Sequence, residues 1–150
     1  MQNQAEAVDT LNKLVKANND RIAGYKQAVT DSKDVPQSIV QMLEARIPES
    51  DKNNDELAGK IIQLGGQLTE DADDREPGTW LNIRSAFSGK DTKSILSACE
   101  RYEDAAQDAY ESALSDHLGP DLKQMVMSQK SKLKMAHDMI KKQRDTTVDK

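Results

Sequence analysis

Several residue types are scarce in this sequence, and each shortage excludes something. A single cysteine, Cys99, stands among 150 residues, so no intramolecular disulfide framework can form. Aromatic residues make up only 3% of the chain, which leaves an aliphatic, alanine-rich core. The four prolines and seven glycines fall mostly between periodic segments, the pattern of a helical chain rather than a disordered one. Basic residues are outnumbered, 21 against 26, for a net charge of −5. General nucleic-acid binding needs a basic surface to displace phosphate counterions, so none is expected. No apolar run approaches the ~20 residues that span a bilayer. The opening stretch, MQNQAEAVDT, has neither the basic nor the apolar region of a secretory signal. These exclusions predict one cytoplasmic domain over residues 1–150, long enough to bury one core.

What is present is helical periodicity. From Ala7 to Val29, the residues Val8, Leu11, Val15, Ile22, Tyr25 and Val29 recur at steps of three, four and seven. A second pattern opens at Pro36, which suits a first helical turn, and runs through Ile39, Leu43, Ile47, Leu57, Ile61 and Leu64 to Gly65-Gly66. Pro48 lies inside it and is expected to kink or interrupt the helix. A third helix starts near Asp91 and turns Ile95, Cys99, Tyr102, Ala106, Ala109 and Ala113 inward, ending before Gly119-Pro120. A fourth runs from about Asp121 through Met125, Val126, Leu133 and Ile140, with residues 146–150 as a fraying tail.

Connection lengths set the topology. Helices 1 and 2, and helices 3 and 4, are joined by a few residues each, so each pair forms an antiparallel hairpin. Residues 65–90 separate the hairpins. They include an acidic run, read as a solvated loop, and then Trp80, Ile83 and Phe87 at the spacing of a short helix. Short, long and short connections predict an all-α, ferritin-like four-helix bundle with one long crossover containing that short helix.

Glutamates on an inward helix face raise the question of metal. Carboxylate di-iron bundles take one glutamate from each of two helices and a Glu-x-x-His from each of the other two. Here Glu103 lies on the inward stripe of helix 3, but Asn18 stands at the matching place on helix 1. His137 is in step with Leu133 and Ile140, yet Lys134 precedes it where a glutamate would be needed. His117, at the end of helix 3, is the other histidine. A complete di-iron centre is therefore excluded on residue count. Two readings stay open. Glu103, His137 and Glu100 could hold a single iron or zinc ion. Alternatively, Asn18, Asn54, Glu103 and His137 could form a hydrogen-bonded layer with no cofactor, in which Glu103→Gln preserves the fold. Cys99 falls on the apolar stripe and reads as a small hydrophobe. Ile62, Met127 and Met139 lie off the inward stripes and suggest a homodimer or another homo-oligomer.

The segments LNKLVKANNDRIAGYKQAV, TWLNIRSAFSGKDTKSILSACERYEDAAQDAY and LKMAHDMIKKQRD, in this order, resemble a bacterial family of ferritin-like four-helix-bundle proteins known as a domain of unknown function. The resemblance implies a helical bundle of the bacterial cytoplasm, associated in some members with stress responses. It brings no established reaction or ligand set. The function expected is that of a non-catalytic protein acting by self-association or by binding a protein partner. The alternative is a ferritin-like metal protein with a reduced site.

Overall fold

The computed structural model describes residues 3–69 and 91–147. Among them are five helices and no strand: α1 (Gln4–Thr30), α2 (Gln37–Glu44), α3 (Arg46–Gln63), α4 (Thr92–Leu114) and α5 (Pro120–Thr146). The expected short helix with Trp80, Ile83 and Phe87, and the acidic run before it, lie outside the described residues.

The ends of these helices follow from local chemistry. Asn3 caps α1, its side-chain oxygen accepting from the Glu6 N–H at 2.8 Å. Pro36 precedes α2. The break in the second long helix falls at Ala45, between α2 and α3, and not at Pro48. Pro48 sits in the first turn of α3, where an N–H has no partner within the helix and its loss costs nothing. At the other end of α3, Gly65 adopts φ +80°, the N–H of Gly66 donates to Ile61 and that of Gly65 to Ile62, each at 2.9 Å. This is a Schellman closure, and it needs the glycine. Pro120 opens α5 behind Gly119. α5 extends to Thr146, and residues 148–150 of the expected tail lie outside the described residues.

Cross-helix bonds fix the arrangement. Asn18 meets Asn53 while Arg21 meets Ser50 and Glu49, so α1 and α3 are antiparallel. Asn18 also meets Tyr110 while Arg21 meets Glu103, so α1 and α4 are antiparallel too. Tyr110 pairs with Gln129 and Asp104 with His137, which makes α4 and α5 the second hairpin. It follows that α3 and α4 run parallel, and the chain between them joins opposite ends of the bundle. Short, long and short connections therefore give a ferritin-like bundle with one crossover.

Two apolar clusters fill the interior. One, at the end where α4 begins, gathers Tyr25, Ile39, Leu43, Ile95, Leu96 and Tyr102. The other, at the opposite end, gathers Leu11, Leu14, Leu57, Ile61, Val126 and Leu133. Cys99 is buried in the first, as its place on the apolar stripe predicts. Between them lies a polar centre.

Candidate functional site

The polar centre has two tiers. The first is a closed ring with one residue from each long helix. Asn53 on α3 donates to Asn18 on α1 at 3.1 Å, and Asn18 donates to the Tyr110 hydroxyl on α4 at 2.8 Å. Tyr110 donates to Gln129 on α5 at 2.6 Å, and Gln129 donates to the backbone carbonyl of Asn53 at 3.3 Å. All four residues are buried. Burial pushes the Tyr110 pKa up, with the Asn18 hydrogen bond opposing it, so the hydroxyl stays protonated and keeps its place as donor.

The second tier lies one turn along α1 and is built around Arg21, whose side chain is buried. Its Nε donates to both oxygens of Glu103, at 3.1 and 3.0 Å, and Nη2 donates to the same carboxylate at 2.7 Å. Nη2 also reaches Glu49 at 3.0 Å. Nη1 donates to Ser50 at 2.9 Å and to the Arg46 carbonyl at 3.2 Å. A guanidinium has five N–H donors, and all five are used. Tyr25 donates to Oε2 of Glu103 and lies under the guanidinium, whose carbon is 5.2 Å from the ring centroid. Burial alone pulls the Arg21 pKa down. The facing charge and hydrogen bonds of Glu103, with Glu49, more than offset it, and the net shift is upward. Burial and the charge of Glu103 push the Tyr25 hydroxyl well up and raise the Cys99 thiol as well. The result is a neutral phenol, a neutral thiol and a fixed guanidinium–carboxylate pair.

The predicted site residues are not brought together. Glu103 is buried at the centre, as its spacing indicates, but its partners are Arg21 and Tyr25. His137 is on the outer edge of α5. Its Nε2 is 2.9 Å from Asp104 and its Nδ1 3.1 Å from Asp138, so it is not the partner of Glu103. The hydrogen bond with His137 lowers the Asp138 pKa. Glu100 pairs with Arg144 near the end of α5. The predicted layer of Asn18, Asn54, Glu103 and His137 is corrected in the same way. Asn18 is in the ring, Asn54 pairs beside it with Asn19, and Glu103 belongs to the next tier. Among the described residues, no three His, Cys, Asp or Glu side chains converge as metal ligands. A metal ion does not fit the centre: both oxygens of Glu103 are engaged by a permanent cation, and that cation would repel another.

Sequence reasoning missed Arg21, Asn53, Tyr110 and Gln129. Arg21 stands three residues after Asn18 and four before Tyr25, and Gln129 is in step with Val126, Leu133 and Ala136. Both therefore carried a periodic signal, hidden because a cation and an amide are rarely counted as core.

Residues 6–116 match a family described as a domain of unknown function, DUF2383. The chain belongs to the DUF2383 family. No curated protein sequence matches it. Among solved structures, this DUF2383 protein is similar to a mutant of Dps1 from Mycobacterium smegmatis. The TM-score is 0.79 at 15% identity, covering 94% of this chain and 96% of that one. It is also similar to a protein from Bacillus anthracis described as a ferritin-like, diiron-carboxylate protein. Here the TM-score is 0.69 at 16% identity, covering 95% and 96%. At such identities the likeness is one of fold, and the DUF2383 chain has its own occupant at the centre.

Proposed function

We propose that this DUF2383 protein is a non-catalytic helical bundle that works by self-association or by binding a protein partner. The observation that supports this reading most is Arg21. A buried guanidinium with every donor used and a carboxylate clamped across it leaves no open coordination position and no group free to move a proton. In the ferritin-like carboxylate proteins, facing glutamates and histidines need an external cation to balance them. In this chain the cation is covalently part of α1. The interior is thus built for stability and register, and the surface is where function lies. Ile62 is 66% exposed, Met127 52% and Met139 42%, so the residues read from sequence as association points are available. A bacterial cytoplasmic setting and a part in stress responses belong to the same proposal and rest on the family resemblance. No helix among the described residues is long and apolar enough to cross a membrane.

The test is metal analysis of protein purified without chelator, with thermal melts of wild type and Glu103→Gln, each with and without ferrous or zinc ion. Neither protein is expected to respond to metal. A wild-type melting point that rises at stoichiometric metal, and a variant that ignores the ion, would refute the proposal by the mass-action rule for ligands that bind only the folded state.

A further inference from the structure

The seam between α3 and α5 is closed at one place and open on both sides of it. Gln129 bridges it, donating to the Asn53 carbonyl and to Glu56 at 3.1 Å. Beyond Gln129, toward Ala136, lies a groove of about 410 Å³ lined by residues of both helices. Leu133 and Ala136 form its buried floor, and Met135 and Met139 stand along one side, Met135 being 71% exposed. These two methionines are four residues apart and therefore lie in line along α5. Unbranched thioethers adapt to the shape of an incoming apolar stripe.

Three cations and one anion stand on the rim, so its charge is positive on balance. Arg46 and Glu49 neutralise each other across 2.9 Å. Lys52 on the α3 side and Lys132 on the α5 side are exposed and have no ion pair among the described residues. They belong to a wider pattern: α5 carries seven lysines and arginines against three aspartates, in a chain whose net charge is −5. A groove between two helices, with an apolar line inside and an unpaired cation on each bank, matches one kind of ligand. We infer that the α3–α5 groove docks an acidic amphipathic helix of a protein partner, its apolar stripe on Met135 and Met139 and its carboxylates on Lys52 and Lys132. A second copy of the chain is the wrong occupant here, because a two-fold contact through this face would set cation against cation. The inference rests on the proposed role in partner binding and names the partner's chemistry.

A labelled synthetic helix with leucines at i, i+3, i+4 and i+7, flanked by glutamates, tests it by fluorescence anisotropy. The same helix with lysines in place of the glutamates is the comparison. The intact chain should bind the acidic helix and not the basic one, with affinity falling as salt rises. Lys52→Glu/Lys132→Glu should invert that preference. Met135→Ser/Met139→Ser should weaken acidic-helix binding about tenfold or more. Both variants alter exposed side chains, so unchanged melting confirms that they fold. Absence of saturable binding at about 100 µM, above the Kd of an ordinary transient complex, overturns the inference. Equal binding of the two helices overturns it as well. So does a wild-type dimer that Met135→Glu breaks, since a second copy would then hold the groove. Failure here with no response to metal leaves the reading of the core intact, and the two proposals are therefore separable.

Discussion

Removing one member of the Arg21–Glu103 pair should cost far more than removing both. Arg21→Met keeps most of the side-chain volume and deletes six hydrogen bonds, leaving the buried Glu103 carboxylate with Tyr25 as its remaining donor. Breaking a buried pair in this way costs about 3–5 kcal/mol. For a domain of this length each kcal/mol lowers the melting point by about 2–4 °C, so a fall of ~6–20 °C is expected. Glu103→Gln strands the guanidinium instead. Glu49 still reaches it from a half-exposed position, which places this variant toward the lower end of the range. The amide is thus not the harmless replacement that helical spacing alone suggested. In Arg21→Met/Glu103→Gln no unpaired charge remains, and the glutamine oxygen can still accept from Tyr25. The double variant should recover most of the loss, with a coupling energy of about 3 kcal/mol. Urea unfolding of the four proteins measures it. Additive losses, or an Arg21→Met variant within about 1 kcal/mol of wild type, would refute the account of the centre.

Other perturbations follow from the same contacts. A Cβ on Gly24 would lie 2.8 Å from ring carbons of Tyr102, so Gly24→Ala should push α1 from α4 and cost about 1–3 kcal/mol in urea melts, despite alanine's better helix propensity. Tyr110→Phe opens the four-helix ring at two bonds and should cost about 1–3 kcal/mol, with faster amide exchange near Asn18 and Gln129; an unchanged exchange pattern would show the ring to be dispensable. Cys99 is buried with a raised pKa, so a thiol reagent should label it only at the rate of unfolding, and prompt labelling of the native protein would contradict the packing. Tyr25, Tyr110 and Cys99 all have folded-state pKa values above their ordinary ones. Their stabilisation is therefore complete below the unfolded values of 9.0 for the thiol and 10.0 for the phenols, and it is lost as pH climbs beyond them. The urea midpoint should fall above about pH 9, less steeply in Tyr110→Phe.

The helices were legible because burial imposes a period of 3.6 on apolar residues. Ile22, Tyr25, Ile95, Cys99, Tyr102, Leu133 and Ile140 are buried where their spacing puts them. The break in the second helix was misplaced because Pro48 draws attention to itself, although a first-turn proline disturbs nothing. Glu103 was found at the centre, but its partner was not. His137 shares the phase of Leu133 and Ile140 only approximately, and a difference of a few tens of degrees around α5 separates the core from the edge. Arg21 escaped for a different reason: no rule of patterning places a cation inside, and only the facing carboxylate makes it tolerable there.

The ring of Asn18, Asn53, Tyr110 and Gln129 also divides the molecule. One of its bonds joins α1 to α3 and one joins α4 to α5, each inside a hairpin, while the other two cross between hairpins. Arg21 and Glu103 add a further tie of the second kind. Each hairpin therefore carries half of a lock and half of a key. Cleavage anywhere between Thr69 and Asp91 would leave two pieces able to recognise each other without a peptide bond. Each piece alone would lose the partners that Asn18, Gln129, Arg21 and Glu103 find across the hairpins. Among the described residues, the bundle is in effect a heterodimer of its own two halves, joined across the hairpins by the ring and by Arg21–Glu103.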